Sequence, residues 1–371
     1  MTHVLHIYKN YHPVKGGIEN HVRLLCTELA KRDDFRVTVL VTNTGRTTAR
    51  EDDDGVQVIK AGQQLTLART PLSWRLWYEV SRIQADITHL HFPYPFGELA
   101  HLLFGRSKKL VVTYHSDIVS QRRLLHLYRP FLWRVLRKAD RIIATSPNYA
   151  RSSPYLSQVS QKCSVIPFGV DVVRFQDVDP ASVARIRGKY GQPLLLFVGQ
   201  FRYYKGLQYL IEAMEQVPAK LLLVGQGPIE STLRTLVVEK GLGERVLFLG
   251  EVGDDYLPAL YSASDVFVLP ASHRSEAFGI VQLEAMACGK PVICTEVGTG
   301  TSWVNQHGQT GLVVPPGQPR LLADAINTLL EDEALRARLG QAAWERVEQE
   351  FTREKMVERV VQVYRDALGA E

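Results

Sequence analysis

Cysteine is scarce in this sequence of 371 residues. The four cysteines are neither spaced like paired zinc ligands nor dense enough for a disulfide scaffold: Cys26, Cys163, Cys288 and Cys294. We therefore expect reduced thiols in a buried core, which is typical of a cytoplasmic protein.

Long apolar segments are also missing. The most apolar runs, PLLLFVG, AKLLLVG and DVFVLP, have the length of β-strands, whereas a membrane span needs roughly 18 residues. The N-terminal segment lacks the basic stretch, the apolar run and the small-residue cleavage site of a secretion signal, and it predicts a buried strand instead. The sequence therefore predicts a cytoplasmic protein without a membrane-spanning segment.

Charge is divided unevenly along the chain. Residues 1–170 contain 24 lysines and arginines against 13 acidic residues, a net charge of +11, whereas residues 171–371 contain 20 against 26, a net charge of −6. The positive half is expected to meet an anionic partner, such as phosphate or a membrane surface, or to expose a solvated basic face. No zinc-ligand spacing, RNP-like aromatic run or helix-turn-helix pattern supports nucleic acid, so we expect none.

Short apolar segments rich in β-branched residues alternate with amphipathic helical patterns, which is typical of an α/β fold with parallel sheets. The first half contains predicted strands at 4–8, 37–41, 87–91, 110–114, 141–145 and 165–167. The pattern then restarts, with a strand at 194–199, a helix at 206–214 and strands at 221–224, 246–249, 266–269 and 292–294. We therefore predict two similar domains, 1–170 and 171–352, with a helix at about 353–371 that packs back on the first.

The segment EAFGIVQLE, from Glu276 to Glu284, carries the most specific signal. A predicted strand leads through a loop into a helix that has one carboxylate at its start and another about two turns later. Eight positions of a helix span ~12 Å at ~1.5 Å per residue. The two acids can therefore engage separate groups of one extended ligand, such as a sugar and a ribose.

With this segment the chain resembles the retaining glycosyltransferases of family 4, and in particular bacterial mannosyl- and rhamnosyltransferases of polysaccharide assembly. The resemblance covers nearly the whole chain through motifs in a fixed order: a GG loop at 16–17, YHSD at 114–117, PFGVD at 167–171, LLLVGQGP at 221–228, EAFG at 276–279 and TGLVVPPG at 310–317. It implies the GT-B fold, in which two Rossmann-like domains with doubly wound parallel sheets face each other across a cleft. It also implies transfer of a hexose from a nucleotide-sugar to a saccharide or lipid-linked acceptor.

The resemblance implies roles for individual residues. Glu276 would contact the transferred hexose, Glu284 would contact the ribose, and His115 would contact the sugar. Gly16 and Gly17 would allow close approach of the backbone to phosphate or acceptor at the first helix N-terminus. The backbone amides that would meet phosphate and sugar belong to Phe278, Gly279 and Ile280.

Lys205 lies in the segment GQFRYYKG, 199–206, just after a predicted strand. A flexible cation at this turn can neutralise pyrophosphate as the leaving group departs. Members of the family usually have arginine directly after the first glycine, Gly199, but this chain has Gln200 there and Arg202 two positions later. Either Arg202 supplies the second cation or Lys205 carries more of the charge.

The resemblance further implies front-face displacement, in which the departing phosphate oxygen takes the acceptor proton, without a metal or other cofactor. The acidic run 52–54 is similar to the DxD metal motif of another glycosyltransferase fold, but it precedes a predicted edge hairpin, so we expect a solvated acidic turn. GDP-mannose or a relative is the expected donor. A UDP-glucose-type hexosyltransferase and a nucleotide-sugar 2-epimerase of the same fold are the alternatives.

Two segments of the first half mix basic and aromatic residues. Residues 120–141 contain seven arginines and lysines against one acid, and a second such segment spans 67–82. The pattern predicts docking on an anionic membrane at the inner face of the plasma membrane, where a lipid-linked acceptor would be presented. The alternative is two ordinary helices with aromatic core residues. The residues assigned to this contact are Arg122, Arg123, Trp133, Trp74 and Trp77.

Overall fold

A computed structural model of the chain describes residues 1–14, 16–67, 70–118 and 122–369, with the side chains of 67 and 122–125 left out. Two units are compact in themselves. The first comprises Met1–Phe168 and Arg353–Glu371, and the second comprises Gly169–Thr352. The expected boundaries were 170/171 and 352/353. Both units are Rossmann-like α/β folds, as the sequence predicts.

The first unit is built on an eight-stranded sheet in the order β10-β9-β8-β7-β1-β2-β4-β3. All pairs are parallel except the edge pair of β3 and β4, and a separate hairpin is formed by β5 and β6. The strands are β1 (Thr2–Ile7), β2 (Phe35–Thr42), β3 (Ala49–Asp53), β4 (Val56–Ala61), β5 (Leu65–Leu67), β6 (Thr70–Leu72), β7 (Ile87–Phe92), β8 (Lys109–Tyr114), β9 (Arg141–Ala144) and β10 (Cys163–Val165).

Helices cover the sheet of the first unit. Helix α1 buries its stripe of Val22, Leu25 and Leu29, which recur at the three- and four-residue spacing of one helix face. The helices are α1 (Gly17–Ala30), α2 (Trp74–Arg82), α3 (Pro95–Phe104), α4 (Arg122–Lys138) and α5 (Pro147–Ser152), and the chain ends with Arg353–Leu368, labelled α15 below. The C-terminal helix packs on α1 and β8, so it belongs to the first unit.

The second unit has a six-stranded, fully parallel sheet in the order β13-β12-β11-β14-β15-β16. Its strands are β11 (Leu194–Val198), β12 (Lys220–Val224), β13 (Val246–Gly250), β14 (Val266–Leu269), β15 (Val292–Thr295) and β16 (Gly311–Val314). The strand order reverses between β11 and β14, and the loops after these two strands lead to opposite faces. Such a switch point is where ligands bind in open parallel sheets.

The helices of the second unit follow its strands and cover both faces of the sheet. They are α6 (Val172–Gln176), α7 (Pro180–Tyr190), α8 (Leu207–Ala213), α9 (Glu230–Glu239), α10 (Leu257–Ala263), α11 (Ile280–Ala287), α12 (Thr301–Val304), α13 (Pro319–Glu331) and α14 (Glu333–Glu350). Within the described ranges, no helix of either unit combines the length and the apolar character that a bilayer crossing requires.

Every predicted strand is present, with ends within two residues of the expected ones. Strands β3 and β4 were expected only as a hairpin or edge beside residues 52–54, whereas strand β16 and the β5–β6 hairpin were not predicted. Both are short, and β5 and β6 have too few residues to show an alternating pattern.

Candidate functional site

The loop between β11 and α8 carries Lys205 at the switch point of the second sheet. Its last residue, Gly206, has φ +70° and packs so tightly on the carbonyl of Pro270 that a Cβ would overlap it. The amide of Ser272 donates a hydrogen bond to the carbonyl of Tyr204 at 2.8 Å. These contacts hold the loop after β11 against the loop after β14.

Lys205 and Glu276 meet across these two loops. Lys205 Nζ lies 2.5 Å from Glu276 Oε2, and the residues are only 9% and 8% exposed. Burial by itself lowers the pKa of Lys205, but the Glu276 carboxylate and Tyr204 together raise it by more, so the pKa is raised overall. Lys205 is therefore a cation near neutral pH.

Glu276 lies in a loop, which corrects the expectation that it stands at the start of a helix. Helix α11 begins only at Ile280, so the two acids do not share one helix. The loop is held by a hydrogen bond from Thr299 Oγ1 to the carbonyl of Glu276 at 2.7 Å and by one from the amide of Gly300 to the carbonyl of Ala277 at 2.8 Å. Its shape thus depends on residues more than twenty positions further along the chain.

The N-terminus of α11 follows this loop directly. Gly279 is the N-cap residue, with φ +77°, and it offers no side chain to cap the first amides. Phe278 is buried, and its carbonyl accepts a hydrogen bond from Gln282 Nε2 at 3.2 Å. Amides in the first turn of a helix attract anions. The N-terminus of α11, which begins at Ile280, can therefore attract a phosphate group.

Glu284 lies in α11 and accepts a hydrogen bond from Tyr261, whose hydroxyl lies 2.6 Å from Glu284 Oε2. Burial raises the pKa of Glu284, while the Tyr261 hydrogen bond and Arg174 act in the opposite direction. Tyr261 was missed by the sequence reasoning. It comes from α10, and no pattern in the sequence of that helix marks it.

Arg202 and Gln200 interact with each other. Arg202 Nη2 and Nε lie 3.1 and 3.2 Å from Gln200 Oε1, so both guanidinium donors point at one amide oxygen. Gln200 therefore orients Arg202 beside the loop that starts at Gly199. A pairing of these two residues was not predicted.

His115 directly follows β8 and is only 2% exposed. Its Nε2 lies 3.0 Å from His91 Nδ1, and His91 Nε2 lies 3.0 Å from His6 Nδ1. Burial lowers the pKa of His115 well below its usual range, and His21 lowers it further. His91 and His6 were missed, although the alternation THLHF in β7 places two histidines on one face of a strand.

Gly16 is the N-cap residue of α1, and Gly17 is the first residue of the helix. The carboxylate of Glu19 lies against Gly16, inside the first turn, and is mostly buried. A carboxylate repels phosphate. Of the two ligands considered for this turn, acceptor hydroxyl groups are therefore the better match.

The acidic run 52–54 lies at the edge pair β3–β4 of the first unit, as expected, but the expectation of a solvated turn is wrong for Asp53. Asp53 ends β3 and accepts hydrogen bonds from Arg23 at 2.8 and 2.9 Å and from the hydroxyl of Tyr11 at 3.0 Å. The Arg23 guanidinium is the main reason why the pKa of Asp53 lies below its usual value. This carboxylate is thus used in an ion pair.

The aromatic residues assigned to a membrane differ in exposure. Trp74 is 57% exposed, whereas Trp77 stacks on Phe96 at 5.0 Å and donates to its carbonyl at 3.2 Å. Trp133 packs on Tyr155 at 5.5 Å. Arg122 and Arg123 are the first residues of α4, and their side chains lie outside the described part of the chain.

Comparison with known proteins shows which families and solved structures the chain is similar to. The family described as Glycosyltransferase Family 4 matches residues 15–174, and the family described as Glycosyl transferases group 1 matches residues 182–346. O-antigen chain mannosyltransferase C of Escherichia coli is 38% identical over 371 residues, 99% of each chain. A D-rhamnosyltransferase of Pseudomonas aeruginosa is 40% identical over 352 residues, 94% of this chain and 92% of that one. The structure of sucrose-phosphate synthase from Thermosynechococcus elongatus superposes with a TM-score of 0.83 at 28% identity and covers 100% of both chains.

Proposed function

Since this chain belongs to the group 1 glycosyltransferases of the GT-B fold and is a hexosyltransferase, we propose that it transfers a mannose-type hexose from a GDP-sugar, with retention, onto a surface polysaccharide or glycolipid under assembly. The observation that carries the proposal is the buried contact between Lys205 and Glu276 beside the N-terminus of α11. It combines a cation, the amides at a helix N-terminus and a carboxylate at one edge of a parallel sheet. These groups suit a ligand that is anionic at one end and rich in hydroxyls at the other.

The proposed chemistry divides the donor between these groups. Lys205 and the amides at Phe278, Gly279 and Ile280 bind the pyrophosphate and stabilise the negative charge that grows as it leaves. Glu276 accepts hydrogen bonds from hydroxyls of the hexose, His115 contacts the same sugar, and the departing phosphate oxygen takes the proton of the acceptor hydroxyl. The positive charge comes from the protein itself, so no metal is needed in this scheme.

Glu284 is assigned to the ribose. Its Oε2 accepts from the Tyr261 hydroxyl, and a carboxylate that one donor already fixes has an oxygen left for ribose hydroxyls. Arg202 is assigned to the pyrophosphate as the second cation, oriented by Gln200. Gly16 and Gly17 are assigned to the acceptor side, because Glu19 lies against their turn.

Binding of different nucleotides distinguishes a GDP-linked donor from a UDP-linked one. The similarity to an O-antigen chain mannosyltransferase, and to a Mycobacterium tuberculosis mannosyltransferase whose name includes GDP-mannose dependence, supports a GDP-linked donor, and UDP-glucose is the alternative. Thermal unfolding with GDP, UDP and dTDP and their common sugars tests the assignment, because a ligand of the native state raises the midpoint. GDP and GDP-mannose should give the largest shift. A larger shift with UDP-glucose would replace the proposed donor. Release of free nucleotide from the donor in the presence of acceptor separates transfer from epimerisation, in which the sugar stays linked to its nucleotide.

We also propose that the first unit binds the inner face of the plasma membrane. Helix α3 packs against α2 and α4, and these helices expose large apolar side chains: Trp74, Tyr78, Leu103, Phe104, Leu127 and Phe131. The sole acids in the three helices, Glu79 and Glu98, are buried. Apolar groups among arginines without exposed carboxylates match an anionic lipid surface.

A further inference from the structure

Five buried histidines lie together in the core of the first unit: His6, His21, His89, His91 and His115. His6 and His89 are register partners on the adjacent strands β1 and β7, and His91 is paired with Thr113 on β7 and β8. His115 lies two residues beyond Thr113, on the same face. Residues that alternate along adjacent parallel strands form one row on one face of the sheet.

Two contacts in this row are hydrogen bonds in the plane of the rings. The ring centres of His115 and His91 are 5.3 Å apart, with 10° between their planes, and those of His91 and His6 are also 5.3 Å apart, with 20° between their planes. The N···N distance is 3.0 Å in both cases. The centre separation equals this distance plus the two ring radii, so each N–H points straight at the lone pair of the next ring.

The two ends of the row differ. At one end, His6 Nε2 lies 3.5 Å from the hydroxyl of Tyr364 in α15, and that hydroxyl lies 2.5 Å from His89 Nδ1. His89 Nε2 in turn lies 2.6 Å from Thr113 Oγ1. At the other end, His115 Nδ1 is buried and has no hydrogen-bond partner among the described residues.

All the rings in this row are neutral near pH 7. Burial lowers the pKa of His6 to about 3, with a smaller contribution from His21, and it lowers the pKa of His91 and His115 well below the usual range. A neutral imidazole has one N–H donor and one lone-pair acceptor. The direction of the hydrogen bond at His6 therefore decides the direction at His91 and then at His115.

We propose that Tyr364, His6 and His91 are positioning residues that fix the tautomer of His115, so that its Nδ1 is a hydrogen-bond acceptor for a hydroxyl of the transferred hexose. The contact between His115 and the hexose rests on the proposed function. The tautomer of His115 is a property of the protein alone and does not depend on that function.

The direction follows from the contacts of Tyr364. A phenol is a better donor than an imidazole N–H, and an imidazole nitrogen is a better acceptor than a phenol oxygen, so the hydroxyl proton lies in the short contact to His89. The oxygen of Tyr364 is then left to accept from His6 Nε2. His6 Nδ1 accepts from His91 Nε2, and His91 Nδ1 accepts from His115 Nε2. His115 Nδ1 is left as a lone pair.

The geometry also separates this row from a metal site. The nitrogens that could share one ion lie within 4.8 Å of one another, both in the group of His6, His89 and His91 and in the group of His21, His91 and His115. The lone pairs of ligands to one ion converge on a common point. In the row, by contrast, the paired nitrogens face each other along a line.

A chain of neutral imidazoles is suited to keeping the His115 ring neutral, which it must be if Nδ1 is to accept a hydrogen bond. A carboxylate partner would also fix the tautomer of His115, but it would raise the pKa of the ring and favour an imidazolium, which cannot accept a hydrogen bond. Neighbouring imidazoles orient the ring without adding negative charge.

Nuclear magnetic resonance of protein labelled with 15N at histidine tests the tautomer directly, without donor or acceptor. We expect His115 to be protonated at Nε2 and unprotonated at Nδ1, with through-bond 15N–15N couplings from His115 to His91 and from His91 to His6. The reverse tautomer at His115, or no coupling across both contacts, would overturn the proposal. So would displacement of these signals by Zn²⁺ with a rise in the unfolding midpoint.

Tyr364→Phe removes one hydroxyl and keeps the shape of the buried ring. We expect the His115 signals to move toward a mixture of tautomers and kcat for hexose transfer to fall about tenfold, as for the loss of one well-placed hydrogen bond, with nucleotide affinity unchanged. Tyr94→Phe is the matched control, because Tyr94 is also buried in the first unit and its hydroxyl contacts Thr42 and Pro71 instead. It should leave the His115 tautomer and kcat as in the wild type.

Unchanged His115 signals in Tyr364→Phe would show that α15 does not set the tautomer and would reject the proposal. If the signals respond as expected but no donor is turned over by the wild type, the chain of histidines stands and the proposed function fails. The two failures are therefore distinguishable.

Discussion

Lys205 Nζ and Glu276 Oε2 are 2.5 Å apart in a nearly dry environment, although the two residues come from different loops of the second sheet. A buried charge is tolerated when it is paired, and the loss of one partner leaves the other uncompensated. In the proposed function, the pyrophosphate of the donor approaches Lys205, replaces part of this pairing and leaves Glu276 available to sugar hydroxyls. The proposal therefore predicts that binding of the donor and the position of Glu276 are linked.

Glu276→Ala should abolish hexose transfer and leave nucleotide affinity within a few-fold of the wild type, because this acid is assigned to the sugar. It should also lower the free energy of unfolding by about 3–5 kcal/mol, since Lys205 is left buried without its partner. GDP should then raise the unfolding midpoint more in the variant than in the wild type, because the pyrophosphate restores a partner for Lys205. Calorimetric titration and thermal unfolding measure these quantities. Equal stabilisation of both proteins by GDP would contradict the placement of the pyrophosphate at Lys205.

Glu284→Ala should weaken nucleotide binding, in contrast to Glu276→Ala, because Glu284 is assigned to the ribose. Tyr261→Phe removes the hydroxyl that orients Glu284 and should weaken binding in the same direction but less. Titration with GDP measures both effects. If Glu276→Ala and Glu284→Ala lose the same nucleotide affinity, the division of the donor between the two acids is wrong.

Arg202→Ala should reduce donor turnover by ~10–1000-fold, the range for one electrostatic contact to developing charge. Gln200→Arg should be tolerated or should increase turnover, because it restores the cation that family members usually have at this position. Gln200→Ala is the matched test of the tether, since it frees Arg202 without removing it, and we expect an intermediate loss. Wild-type turnover in Arg202→Ala would show that Lys205 and the helix amides suffice.

The protein should sediment with anionic but not with zwitterionic vesicles, and salt should reverse the binding, since each basic residue near an anionic surface contributes ~1 kcal/mol. Arg122→Glu combined with Arg123→Glu should reduce the bound fraction. Trp74→Ala should reduce it as well without loss of stability, because this ring is largely exposed.

Val238→Ala provides the control for the vesicle experiment. Val238 is an exposed apolar residue of α9 in the second unit, and its loss should leave vesicle binding unchanged. Equal recovery of the wild type in the supernatant with both vesicle types at low salt would contradict docking and favour a soluble saccharide acceptor.

The stability of the first unit should fall in acid. Burial lowers the pKa of His6 and of His21 to about 3, whereas an unfolded histidine has a pKa near 6.5. The contribution of these groups to stability is therefore complete above pH 6.5, and it is lost as the pH falls from 6.5 toward 3, because only the unfolded chain binds the protons.

His21→Phe tests this linkage, because it removes one of the buried imidazoles. It should reduce the dependence of the free energy of unfolding on pH by about 1.4 kcal/mol per pH unit between pH 6 and pH 4. Urea unfolding at several pH values measures this slope. Tyr94→Phe, a buried change without an imidazole, should keep the wild-type slope. The same slope in His21→Phe as in the wild type would contradict the assignment.

Much of the fold could be read from local patterns. The apolar strands and amphipathic helices place most strands of both sheets, because hydrophobic periodicity depends on residues a few positions apart. The segments with Lys205 and Glu276 were also found from the sequence, since strand-loop-helix transitions and motif spacing are local as well. The sequence by itself thus determined most strands and helices and the segments that carry the candidate residues, because each of these depends on residues close together in the chain.

Only the tertiary structure decided which of these groups meet. The start of α11 after Glu276, the contact of Tyr261 with Glu284 and the line of imidazoles from His115 to Tyr364 depend on contacts between residues far apart in the sequence, as far as 358 positions between His6 and Tyr364. Strand order and register bring these residues together, and the packing of the C-terminal helix on the first unit completes the line. A local pattern gives the face on which a side chain lies, but its partner follows from the pairing of distant strands and helices.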